Sequence, residues 1–80
     1  MTYTLDLHGL RRHEAESLLQ ETIDKCFYHG YTGIKVICGH GSGTLLSMTV
    51  KECESNPLIE PCGTYGAPDK GYVFIALIAQ

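Results

Sequence analysis

Apolar and polar positions alternate at the start of the chain, with Tyr3, Leu5 and Leu7 on one side and Thr4, Asp6 and His8 on the other. A period of two predicts a β-strand over residues 3–7. It places Asp6 and His8 on one face, about 7 Å apart along the strand, and Gly9 ends it. From Arg12 to Tyr28 the period lengthens. Ala15, Leu18, Leu19, Ile23, Cys26 and Phe27 recur at helical spacing, while Glu14, Glu16, Gln20, Glu21 and Asp24 take the other faces. An amphipathic helix follows. Its early glutamates suit the positive end of the helix dipole, and Gly30 stands where a C-terminal stop is needed. The stretch from Gly33 to Cys38 reads as a mostly buried strand. Strand, helix and strand within about 35 residues make a βαβ unit with a right-handed crossover. Its two strands are parallel, so their C-terminal ends lie together.

The second half of the chain is read the same way. Leu45, Met48, Thr49 and Cys53 mark the inner face of a helix over about residues 43–55, with Ser42 as its N-cap and Asn56-Pro57 as its end. Residues 58–65 form a weaker strand, interrupted by Pro61 and Gly63, which predicts an edge position or a bulge. Residues 66–71 are a turn, and residues 72–78 a final strand. The expected architecture is a single α/β domain over residues 1–80, in the order βαβαββ, with one mixed sheet and two helices.

Composition narrows the function classes. Hydrophobic residues make up 44% of the chain and charged residues 19%, a globular mix rather than a disordered one. No apolar run approaches the ~20 residues that span a bilayer, and the first residues lack the pattern of a signal peptide. The expected location is therefore cytoplasmic, without a membrane partner. Cys26, Cys38, Cys53 and Cys62 include no C-x-x-C pair, so buried free thiols are expected rather than a zinc site or a disulfide framework. The formal net charge of −3 and only six basic residues argue against a purely electrostatic grip on nucleic acid. Arg11 and Arg12 nevertheless form a local basic pair directly after the first strand. The five tyrosines show no tight cluster in the sequence, so no base-stacking platform is legible there.

The candidate chemistry lies in two loops, Leu5-Asp6-Leu7-His8-Gly9-Leu10 and Cys38-Gly39-His40-Gly41-Ser42-Gly43. Both leave the C-terminal ends of the expected parallel strands, where open α/β sheets bind ligands. The second loop also opens a helix, and its glycines let backbone N–H groups approach an anion. A tight strand-to-helix turn explains the same glycines equally well. The histidines tip the reading toward function, because imidazole exchanges a proton near neutral pH. Asp6 could orient His8, accept a proton or ligate a divalent cation; a structural histidine and a turn-bonding carboxylate are the bland alternatives. His13 is expected to face solvent, and His29 only to sit at a helix C-terminus.

The first loop resembles the LDLHGL-type opening motif of the Smr (small MutS-related) domain family, and the glycine loop resembles that family's HGxG or TGxG motif. The spacing between them, Asn56-Pro57-Leu58-Ile59 and the final glycine-plus-apolar strand agree with the same family. The resemblance implies a fold like the C-terminal domain of bacterial translation initiation factor three. It also implies nucleic-acid binding, often with endonuclease or nicking activity on DNA or RNA, with the ribosome or a larger protein as further partners. The family's first-motif aspartate and histidine fall on Asp6 and His8, and its glycine loop on Gly39, His40 and Gly41. Cys38 stands where the family usually has His or Thr, and Leu46 where a basic residue is often found.

Three functions follow as expectations. The first is a phosphodiester-cleaving enzyme with Asp6, His8 and His40 as catalytic residues. Its phosphate would be held by Gly9, Arg11, Arg12, Cys38, Gly39, Gly41, Ser42 and Gly43, with Mg2+ or Mn2+ as candidate cofactors through Asp6. The second is a non-catalytic module that binds nucleic acid or ribosomal RNA, which the acidic charge and Cys38 favour over efficient catalysis. The third is a protein-interaction domain, using the acidic first helix and the weak edge strand, or a nucleotide-binding fold with no nucleic acid involved.

Overall fold

The computed structural model describes residues 1–41, 43–67 and 70–79, and of residues 61–67 it describes the backbone. The element order is β1 (Thr2–Asp6), α1 (Arg12–Tyr28), β2 (Gly33–Ile37), α2 (Thr44–Ser55), β3 (Ile59–Ala67) and β4 (Tyr72–Leu77). The four strands form one mixed sheet in the order β1-β2-β4-β3. β1 and β2 are parallel, while β4 runs antiparallel to both β2 and β3. This is the expected βαβαββ fold, and α1 over Arg12–Tyr28 is the expected helix.

The alternation in the strands decides where the core lies. Leu5, Leu7, Ile34, Val36, Val73, Ile75 and Leu77 are buried and meet Ala15, Leu19 and Ile23 of α1 and Met48 of α2. Each fully buried aliphatic side chain of this kind contributes about 1.5–3 kcal/mol. Their neighbours in the strands, Lys35, Ile37, Tyr72, Phe74 and Ala76, are only partly covered. One face of the sheet therefore carries both helices, and among the described residues no helix or strand packs over the other.

α1 ends where the sequence places the stop. His29 is its C-cap, and Gly30 follows at φ +83°. At its start, the Arg11 N–H donates to Glu14 Oε1 at 3.1 Å, which satisfies one of the leading amides. β3 is an edge strand, and its pairing with β4 shifts register between Ile59 and Thr64, the interval that holds Pro61 and Gly63. The strand then runs on through Gly66 and Ala67, residues expected to begin the turn; Pro68 and Asp69 lie outside the described residues.

Two expected core positions turn out otherwise. Leu18 is 37% exposed and Tyr3 is 40% exposed. β1 is the other edge of the sheet, so no further layer covers the outer flank of α1 there. Both side chains instead line a shallow cleft with Lys25 and Tyr31, and Tyr3 meets Tyr31 edge to face at 5.5 Å. Thr22 takes the buried place beside Leu19 and Ile23. Among the described residues, no helix is long and apolar enough to cross a membrane.

Candidate functional site

Parallel pairing brings the ends of β1 and β2 level, since Asp6 stands in register with Ile37. The Leu7 N–H then donates to the Ile37 carbonyl at 2.8 Å, extending the pairing to the mouth of both loops. The two loops consequently share one cleft of about 370 Å³, lined by His8, Gly9, Leu10 and Arg12 on one side. Cys38, Gly39, His40, Gly41, Gly43, Thr44, Leu45 and Leu46 line the other. Contact is direct: a Cβ placed on Gly39 would stand 3.3 Å from the His8 Cβ.

Asp6 and His8 form a dyad. Asp6 Oδ1 accepts from the His8 backbone N–H at 3.1 Å and meets His8 Nδ1 at 2.5 Å. The carboxylate is ionised next to a ring N–H, so the hydrogen bond from His8 holds the Asp6 carboxyl below the ordinary aspartate value, with the His8 backbone N–H adding to it. The partnership also sets the imidazole tautomer: with Nδ1 given to the carboxylate, Nε2 is the nitrogen left to exchange a proton. Both side chains are half or more exposed, at 66% for His8 and 50% for Asp6, so the pair is open to a solvent-borne ligand.

The glycine loop is fixed from a third segment. The Gly71 carbonyl accepts from the Cys38 and Gly39 N–H groups at 2.7 and 3.0 Å. Gly71 lies just before β4 with φ +76°, and a Cβ there would stand 3.2 Å from the Gly39 carbonyl group and from His40 Cε1. Gly71 is a positioning residue that the sequence reading passed over as part of a turn. The Gly39 N–H, expected to face an anion, is thus already taken by the Gly71 carbonyl. α2 begins behind Gly43, which brings no side chain to cap it, and the Ser47 N–H donates to the Gly43 carbonyl at 2.9 Å. The leading N–H groups of such a turn have no acceptor within the helix.

The other expected site residues divide. Arg12 lines the cleft, and it also borders a contiguous cleft of about 290 Å³ with Gly43, Thr44, Ser47, Met48 and Lys51. Arg11 is exposed at the N-cap of α1 and does not line either cleft. Cys38 borders the cleft, but its thiol is turned to the core, with Sγ 3.7 Å from Thr49 Oγ1 and 3.9 Å from the Val36 carbonyl oxygen. Burial pushes this thiol up, with the Thr49 hydroxyl opposing. Ser42, expected both as N-cap and as a phosphate contact, lies outside the described residues. Lys51, one of the six basic residues of the sequence, borders this second cleft because Thr44, Ser47, Met48 and Lys51 fall on one face of α2. Among the described residues, no three His, Cys, Asp or Glu side chains converge to hold a metal ion.

Comparison with known proteins agrees with this fold. No curated protein matches the chain. The structure superposes on the crystal structure of the Smr domain of Thermus thermophilus MutS2 with a TM-score of 0.87 and 21% sequence identity. The match covers 96% of this chain and 99% of that one. The sequence pattern that defines the Smr domain matches residues 5–71, from the strand that carries Asp6 to the glycine that pins the second loop. The chain belongs to the Smr domain family.

Proposed function

We propose that this domain binds nucleic acid by holding a backbone phosphate in the cleft between the two loops, and that it cleaves the phosphodiester bond there. The observation that carries the reading is the Asp6–His8 dyad standing against the glycine loop. A carboxylate that fixes Nδ1 leaves Nε2 to work as a general base or acid beside an anion site. The phosphate would sit against the positive end of the α2 dipole, where developing negative charge is stabilised. Arg12 and Lys51 would neutralise that phosphate and its neighbour along the strand.

On RNA the balance is simple. His8 Nε2 takes the proton of the 2′-hydroxyl, the 2′-oxygen forms a bond to phosphorus, and the bond from phosphorus to the 5′-oxygen breaks. His40 delivers a proton to that leaving oxygen. The products are a 2′,3′-cyclic phosphate and a 5′-hydroxyl, and each imidazole is worth roughly 10²–10⁴ in rate. On DNA a water replaces the 2′-hydroxyl.

The test is cleavage of labelled single-stranded RNA and of supercoiled plasmid by the wild type, His8→Ala and His40→Ala, with and without Mg2+ or Mn2+. The reading expects loss of turnover in both variants with folding retained. Cutting by wild type no faster than by His8→Ala on either substrate refutes cleavage. A second reading, binding without turnover, draws on the inward Cys38 thiol and on Leu46 in the cleft wall. These leave His40 as the one titratable side chain that the second motif brings to the cleft among the described residues. It predicts salt-sensitive binding of the same nucleic acids and no products.

A further inference from the structure

The face of the sheet opposite the helices carries a set of residues that the cleft does not use. β4 places Tyr72 and Phe74 two residues apart on that face, with ring centroids 6.3 Å apart and planes at 80°. β2 adds Lys35, in register with Phe74, whose Nζ lies 4.5 Å from the Tyr72 ring centroid. All three side chains are partly exposed. The rows of the sheet connect this patch to the cleft: Asp6 pairs with Ile37, and Ile37 pairs with Tyr72. Two strand spacings put Tyr72 about 10 Å from Asp6.

We infer that this open face is a stacking platform for unpaired bases of a single-stranded nucleic acid whose phosphate sits at the Asp6–His8 end. The inference rests on the proposed function and adds the class of substrate. Three features point to this occupant. Aromatic rings on a sheet surface offer π-faces that any base can stack on. An ammonium beside them matches the phosphate of the stacked nucleotide. Its contact with the ring is weak at an exposed site, and its flexible stem lets it move to a phosphate when a base takes the ring. The platform is also continuous with the cleft, so one strand can engage both. Duplex bases are turned inward and cannot use it.

The experiment compares three fluorescent probes by anisotropy: a short mixed-sequence single-stranded RNA, its duplex, and an abasic ribose-phosphate oligomer of the same length. The platform predicts that wild type prefers the single strand over the abasic oligomer by about ten-fold or more, with the duplex near the abasic level. Tyr72→Leu and Phe74→Leu, which keep apolar bulk, should collapse that ratio, with folding checked by circular dichroism. Ultraviolet crosslinking of the unmodified protein should map to residues 72–74, giving a readout that needs no variant. Equal affinity for the base-bearing and abasic strands overturns the platform and leaves the phosphate cleft standing. So does a ratio that survives both leucine variants, or crosslinks confined to residues 38–46. Failure to bind any probe overturns this inference and the nucleic-acid reading together. A sedimenting dimer that Tyr72→Leu dissociates overturns it in favour of a second copy of the chain on this face.

Discussion

Gly71→Ala should separate the two jobs of the residue that fixes the glycine loop. At φ +76° an L-residue enters the left-handed region at a cost of about 1–2 kcal/mol. The new methyl would also meet the Gly39 carbonyl group and His40 Cε1 at 3.2 Å, inside ordinary van der Waals separation. Relieving that contact means moving Gly71, which carries the carbonyl that accepts from Cys38 and Gly39, or moving the loop and the imidazole. A further ~1 kcal/mol is the scale of one weakened hydrogen bond. The sum, about 2–3 kcal/mol, corresponds to a fall in Tm of roughly 10–20 °C for a domain of this size. Gly30→Ala is the matched control. Gly30 has φ +83°, and a Cβ there meets nothing within 4 Å, so it carries the backbone cost without the collision. Thermal unfolding followed by circular dichroism gives the difference between the two variants. Anisotropy with single-stranded RNA then reports whether the loop has moved: Gly71→Ala should weaken binding and Gly30→Ala should not. If Gly71→Ala costs no more than Gly30→Ala and binds as the wild type does, Gly71 does not position the loop.

Three further outcomes are expected. The Asp6 carboxyl should titrate below the ordinary aspartate value in a carbon-detected NMR titration and return toward it in His8→Ala. Because the folded value is the lower one, the dyad persists above the ordinary aspartate range and is lost only as pH falls through the depressed value; an Asp6 titration identical in the two proteins would mean that the pair is not made in solution. Arg12→Ala should weaken RNA binding across sequences alike and lessen the slope of log affinity against log salt by about one; an unchanged slope removes Arg12 from the phosphate contacts. In the native protein Cys26 and Cys38 should alkylate with iodoacetamide far more slowly than in denaturant, since burial pushes both thiols up. Peptide mass mapping that finds Cys38 modified as fast in either state would place its thiol in the cleft rather than in the core.

The fold was legible because period and punctuation agree along this chain. The alternation around Leu5, the helical spacing from Ala15 to Cys26 and the stop at Gly30 each select one element, and a βαβ unit leaves few ways to arrange them. Edge effects were less legible. Leu18 and Tyr3 fit the apolar pattern and lie at the flank of an edge strand, which no local pattern reveals. The meeting of the two loops followed from parallel pairing alone. Gly71 did not, because its role comes from β4 entering antiparallel beside β2, a register that exists only in the sheet. The aromatic patch was hidden for the same reason: Tyr72 and Phe74 are an unremarked alternating pair until Lys35 arrives opposite them across the strand. Cys38 shows the reverse case, where a position in a motif suggested a contact and the alternation of β2 turned the side chain inward.

The cleft is assembled from residues 8–10 and 12, residues 38–41 and 43–46, and a loop pinned by the carbonyl of residue 71, so it draws on three separate stretches of sequence. Parallel pairing of β1 and β2 brings the first two together, and β4, an interior strand of the sheet, supplies the third. The amide protons of Cys38 and Gly39, locked onto Gly71, should therefore exchange with solvent only when the whole sheet opens. Their protection factors would then measure global stability, and the population of competent sites would equal the population of intact molecules.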